Sequence, residues 1–168
     1  MDTLKGKTIA VTGATGFLGR YFVRELLARG AQVVAAVRSP DKVVELKRDG
    51  IELRKADLAD RASLARAFAG CDAVIANAGQ VSLPPDYDVL IRQNLEGTRN
   101  TMQACADAGV QRVVAISSAS VYRKIRADIA IDETAPLRTA GDKRHRFSIY
   151  PISKAMAEQE AWRLAGEL

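Results

Sequence analysis

Five short β-branched runs alternate with longer segments of helical periodicity, and this alternation restricts the fold more than any other feature. The runs are "TIAVT" at 8–12, "QVVAAV" at 32–37, "IELRKA" at 51–56, "AVIANA" at 73–78 and "RVVAIS" at 112–117. Apolar residues recur at three-and-four spacing over approximately 17–29, 40–49, 61–69, 87–108 and 148–165. Strand and helix repeated in series require parallel strands joined by right-handed crossovers, so the chain predicts an open, doubly wound parallel α/β sheet covered on both faces. Gly30, Gly50, Gly70 and Gly109 stand where each helix must turn back toward a strand. One long irregular stretch, 123–147, separates the fifth strand from the last helix. Loops of that length in a domain are usually functional or disordered.

With 168 residues and 48% hydrophobic content, one domain with a buried core is expected. No apolar run approaches the ~18–20 residues that span a bilayer, and the N-terminus lacks the order of a secretory leader. The expectation is a soluble, cytoplasmic protein with no membrane partner. Cys71 and Cys105 have no His or Cys partners at metal-ligand spacing and His145 stands alone, so no metal is expected and both thiols are read as buried and reduced. The net charge of +5 is spread along the chain and aromatics are few, which disfavours nucleic acid and fits an anionic small molecule better.

The turn after the first strand reads "VTGATGFLG". Glycines there permit a sharp turn, remove side chains where a pyrophosphate would approach, and let the helix pack closely on the strand, while the helix start offers N–H groups and a positive dipole end. The segment follows a predicted strand and opens a predicted helix, the context a dinucleotide loop requires. Its candidate cofactor contacts are Gly13, Thr15, Gly16, Phe17, Leu18 and Gly19.

The spacing Thr12-Gly13-x-x-Gly16-x-x-Gly19 resembles the short-chain dehydrogenase/reductase superfamily, specifically its extended branch of epimerases, dehydratases and reductases. "ADLAD", "NLEGTRN", "ISSASVY" and "YPISK" match in order, so the resemblance covers nearly the whole chain. It implies a Rossmann sheet of order 3-2-1-4-5, with Asp57 and Leu58 flanking an adenine. Asn94 would support the site through a structural hydrogen bond or a water relay, or else be an ordinary packing amide. "NAG" at 77–79 is similar to the single-domain branch, and would place Asn77, Ala78 and Gly79 against the cofactor.

A carboxylate at the end of the second strand typically holds a ribose that lacks a 2′-phosphate. Here Val37 occupies that place and Arg38 follows, with a guanidinium able to clamp a phosphate, and Lys42 is near enough to assist. NADP(H) is therefore favoured over NAD(H).

Tyr150 and Lys154 lie one helical turn apart and share a face. A free tyrosine titrates near ~10, but a neighbouring ammonium and an oxidised nicotinamide both favour its phenolate. Both residues are candidate catalytic and cofactor-binding groups, and Pro151 suits a helix start. Ser117, Ser118 and Ser120 all fall at the carboxyl end of the fifth strand, where open α/β sheets bind ligands. Counting back from "VY" as the extended branch does selects Ser118, with Ser117 as runner-up. The resemblance implies hydride transfer at a carbon bearing a carbonyl or hydroxyl. A reductase is favoured over a nucleotide-sugar epimerase or dehydratase, and a non-catalytic NADP-binding sensor or scaffold module is the third reading.

Residues 123–146 hold seven basic residues, Arg123, Lys124, Arg126, Arg138, Lys143, Arg144 and Arg146, against Asp128, Asp132, Glu133 and Asp142. The loop would attract a phosphorylated, nucleotide-linked or carboxylated substrate, or it is simply solvated. Members of the extended branch continue past the last helix into a smaller substrate-binding domain. By that resemblance residues 1–168 form an NAD(P)-binding domain that ends before it, with "RVVAIS" left as an open sheet edge. A longer parent protein, a truncated product or a covering second chain would each account for this. Alone, the chain is expected to bind cofactor weakly, to associate into a homo-oligomer and to turn over little.

Overall fold

Period-two alternation of small and β-branched residues lets each central strand bury both faces. Ile9 and Val11 of β1 (Thr8–Thr12) point to one side and Ala10 to the other; along β2 (Gln32–Val37), Val33, Ala35 and Val37 join the first side, Val34 and Ala36 the second. With β3 (Ile51–Lys55), β4 (Ala73–Ala76) and β5 (Arg112–Ala115) they form a parallel sheet in the order β3-β2-β1-β4-β5, the doubly wound arrangement the sequence predicts. The computed structural model describes residues 3–43, 46–47, 50–81, 86–123, 130–142 and 149–167. Thr12 is level with Ala36 on one neighbour and Ala76 on the other, so three central strands end together.

Helix α1 (Phe17–Ala28) covers the first face through Val23 and Leu26. Helices α2 (Arg61–Phe68) and α4 (Gly97–Asp107) cover the second with Leu64, Ala67, Phe68, Ala104 and Cys105. Phe68 is fully buried, and a side chain of that kind contributes about 1.5–3 kcal/mol of transfer free energy. Helix α5 (Ile149–Glu167) leans on α4, where Met102, Ala161 and Leu164 close a smaller cluster against Val113. Both cysteines are free and buried; burial pushes the Cys105 thiol up to about 12 and raises that of Cys71. Among the described residues no helix is long and apolar enough to cross a membrane.

Two helical expectations are corrected. Over 40–49 the described backbone holds only a 310 turn at Pro40–Lys42; Val43 leaves helical geometry at φ −103°, ψ 77°, and 44–45 and 48–49 lie outside the described residues. Ser39 offers this turn no side-chain cap, so little favours extending it. The segment 87–108 is a helix in three parts: α3 (Tyr87–Leu90), capped by Asp86, then a π-helical turn at Ile91–Glu96, then α4. β3, β4 and β5 also stop one or two residues before their expected ends, and of the residues left over Ala56, Ala78, Ile116 and Ser117 border clefts at the strand ends.

β5 is an edge strand with Val114 49% exposed. Beyond it, a 310 turn at Ala119–Val121 packs on α5, and the described part of the long loop folds back: Tyr122 bridges Leu137, Arg123 N donates to Pro136 O, and Arg138 N to Val121 O.

Candidate active site

Gly13 adopts φ +67°, and a Cβ there would lie 2.9 Å from Ala78 Cα. A Cβ on Gly19 would come within 2.0 Å of Gly13 O, so only glycine lets α1 meet the end of β1. Gly16 begins α1 without a side-chain cap and with no acid in the first turn, leaving the positive end of the helix dipole open to an anion.

The loop borders a cleft of about 820 Å³ across the carboxyl ends of the central strands. Of the expected cofactor contacts, Gly13, Thr15, Gly16, Arg38, Asp57, Leu58, Ala78 and Gly79 line it. Phe17, 79% exposed, instead pairs edge-on with Tyr21 at 5.5 Å; Leu18 is exposed, Gly19 lies buried, and the Asn77 amide is turned back to donate to Gly13 O. Lys42 lines the cleft, and so do Ser39, Gln80 and Arg92, which carry no motif signal.

Thr12 was legible only as part of the glycine spacing, yet its buried hydroxyl accepts from Asn77 N at 3.1 Å and Ala78 N at 3.0 Å, fixing the loop after β4. On the opposite wall, Asp57 accepts from Ala59 N and closes its own turn, while Asp60 and Ser63 cap α2. Gly97 packs against Leu58, and Asn100 donates to Leu58 O, so α4 sets the Asp57–Leu58 wall.

Asn94 sits in the π-helical turn, 3% exposed. Its Oδ1 accepts from Gln80 N at 2.7 Å, and its Nδ2 donates to Gln80 O at 3.1 Å and to Ser153 Oγ at 2.9 Å. Ser153, inside "YPISK" but not singled out in the sequence, is fully buried and donates to Tyr150 O. Three segments are thereby locked together: the cleft wall, the π turn and the first turn of α5. π turns in helices recur at functional sites.

Tyr150 is half-buried in that first turn. One turn later Lys154 Nζ donates to Ile116 O at 2.7 Å, and burial lowers the ammonium from the usual lysine range while the Glu158 carboxylate opposes this. Ser118 and Ser120 share a 2.8 Å hydroxyl contact, and Ser118 Oγ also accepts from Ser120 N. Ser117 donates to Glu158 instead. Lys154, Glu158 and Ser117 line a second, mostly apolar groove of about 310 Å³ beneath α5, which shares Thr12 and Ala78 with the larger cleft. In the basic loop Arg123 pairs with Asp142 and Arg138 donates to Ser120 O; Lys124, Arg126, Asp128, Lys143, Arg144 and Arg146 lie outside the described residues.

A glycine turn, an uncapped helix start and a cleft across parallel strand ends define a dinucleotide-binding domain of Rossmann type, and glycine at 13 lets the turn pack against the loop after β4. A family model described as NAD(P)H-binding matches residues 13–160, and the chain belongs to that family within the extended short-chain dehydrogenase/reductases. A nicotinamide cofactor follows from that membership. The chain is 36% identical to tetraketide alpha-pyrone reductase 1 of Arabidopsis thaliana, covering 99% of this chain and 55% of that protein. It is 35% identical to cinnamoyl-CoA reductase 1 of Petunia hybrida, covering 99% and 52%. The solved structure of MoeE5 in complex with UDP-glucose and NAD superposes with TM-score 0.72 at 31% identity, covering 94% and 48%. The chain spans about half the length of the curated relatives it matches.

Proposed function

We propose that residues 1–168 are the NAD(P)-binding and proton-transfer domain of an NADPH-dependent reductase acting on a small-molecule carbonyl. The end of β2 carries this reading. Val37 stands where a ribose-binding carboxylate would be, and Arg38 and Lys42, which form no ion pair among the described residues, line the cleft with Ser39. Two cations and a hydroxyl following β2, with Val37 in place of a carboxylate at that strand end, suit a 2′-phosphate. Two relatives named as reductases, at 36% and 35% identity, support the reductase part of this reading.

A bound reduced nicotinamide supplies hydride. The chain's own residues handle the oxygen. Tyr150 delivers a proton to it, and Ser118, aligned by Ser120, donates a hydrogen bond, so the charge building there meets prepositioned donors. The Lys154 ammonium favours the phenolate that Tyr150 leaves behind. Asn94 holds the first turn of α5 through Ser153.

An anionic substrate and association of copies belong to the same proposal, the first resting on the surplus charge of the 123–146 loop and the second on the exposed edge of β5. Raising salt should then lower kcat/KM, and sedimentation should depend on concentration. A second reading, a nucleotide-sugar epimerase or dehydratase, is favoured by the likeness to MoeE5 with its UDP-glucose and NAD.

Fluorescence titration with NADPH and NADH separates the two, since a reductase of this kind should bind NADPH at least about tenfold more tightly. Tyr150→Phe should keep that binding and lose turnover on a panel of carbonyl compounds. Tight NADPH binding without turnover in either form would mark a non-catalytic module.

A further inference from the structure

The groove beneath α5 is lined by two charged side chains among the described residues, Lys154 and Glu158, one helical turn apart. Their neighbours from the sheet and from α4 carry no charge: Thr12, Ala76 and Ala78 on one side, Thr98, Thr101 and Met102 on the other. Each of the two grips the end of β5. Lys154 Nζ donates to Ile116 O at 2.7 Å, and Glu158 accepts from Ser117 Oγ. Consecutive residues of the strand end, immediately before Ser118, are thus held by consecutive turns of α5.

We propose that Glu158 is a positioning residue of the proton-transfer site, holding the end of β5 against α5 through Ser117 and supplying the counter-charge to Lys154 inside the groove. A lysine in apolar surroundings loses its proton more readily unless an anion stands near. Burial has that effect on Lys154, and Glu158 works against it. Glu158 is felt from the other side too, since Tyr122 is held above the usual tyrosine range by desolvation and then by Glu158, Glu133 and Asp132. Tyr150 is the remaining titratable group on this stretch of α5. Only the consequence for turnover rests on the reductase reading; the tether and the counter-charge stand without it.

The test uses the chain with 13Cε-labelled lysine, the Lys154 signal being assigned by Lys154→Arg. In Glu158→Gln, which keeps an acceptor for Ser117, the Lys154 signal should titrate at lower pH with the circular dichroism spectrum unchanged. Ser117→Ala should leave that titration in place while amides of 116–118 exchange faster. An unmoved Lys154 titration in folded Glu158→Gln overturns the proposal. Where the chain turns over, the alkaline limb of kcat/KM should move to lower pH in Glu158→Gln and stay in place in Glu158→Asp. A wild-type chain that shows the lysine coupling but reduces no carbonyl would defeat the reductase reading and leave this one standing.

Discussion

Asn94 and Ser153, 59 positions apart, share a buried 2.9 Å hydrogen bond that fastens the π-helical turn to the first turn of α5. Replacing Asn94 by Leu would orphan Gln80 N and Gln80 O and take one partner from Ser153 Oγ, which keeps its bond to Tyr150 O. Buried polar groups left without partners cost about 1–3 kcal/mol each before relaxation, so a loss of about 2–4 kcal/mol is expected in urea unfolding. Ser153→Ala should cost about 1 kcal/mol, and the double variant less than the sum, because the two act as one unit.

Thr12 serves two backbone donors with one hydroxyl. Thr12→Val keeps the shape, strands Ala78 N and leaves Asn77 N with Ile75 O alone, predicting a loss of about 1–3 kcal/mol and weaker NADPH binding as the loop after β4 loosens. Thr12→Ser should retain most of both. A thermal melt and a cofactor titration on the two variants check this.

Val37 and Arg38 together predict cofactor preference. Arg38→Ala should weaken NADPH binding roughly tenfold or more and leave NADH almost unchanged, since the loss is of a charge-assisted contact to a phosphate that NADH lacks. Val37→Asp combined with Arg38→Ala should turn the preference toward NADH. Equal effects on both cofactors would place the adenosine end elsewhere in the cleft.

Gly19→Ala places a methyl 2.0 Å from Gly13 O, a backbone atom with no room to retreat. A variant that fails to fold, or folds with α1 displaced and no NADPH affinity, is expected. Near-normal melting would contradict the close packing of α1 on β1.

Glu160 accepts hydrogen bonds from Arg163 of its own helix and from Arg99 of α4, which together hold its carboxyl at about 2, with Arg163 the larger influence. Because the folded value lies below the unfolded one, this group's stabilisation is complete above about pH 4 and disappears as pH falls toward 2. Wild type should therefore exceed Glu160→Gln in stability at pH 7, with the two converging in acid. Added salt should shrink the gap, because Arg99 and Arg163 are substantially exposed. Urea midpoints at three pH values measure it.

Much of the fold was legible because it depends on local periodicity. The parallel doubly wound sheet follows from strand and helix alternating in series, its order β3-β2-β1-β4-β5 is what the family resemblance implies, and the cradle from Gly13 to Gly19 follows from spacing within one turn. What escaped depends on distant partners. The π turn exists around an asparagine whose partners are 14 and 59 positions away, and no helical period reveals them. Likewise, three serines at one strand end look equivalent in sequence, but Glu158 takes Ser117 while Ser118 and Ser120 take each other. The expected helix over 40–49 rested on apolar spacing alone, and the backbone at Val43 departs from it.

The π-helical turn at Ile91–Glu96 has the length of a helix carrying one residue beyond its regular count. Each residue of an α-helix advances the face by about 100°, so the surplus residue rotates everything after it relative to everything before. One continuous segment can then face two ways: α3 packs on α5, while α4 packs on α2 as well as α5. Removing a single residue from 91–96 would consequently do more than shorten a helix. It would restore a regular ladder, swing Asn94 out of its pocket and leave α4 facing its neighbours with the wrong side, so this is a stretch where a deletion should be harder to tolerate than a substitution.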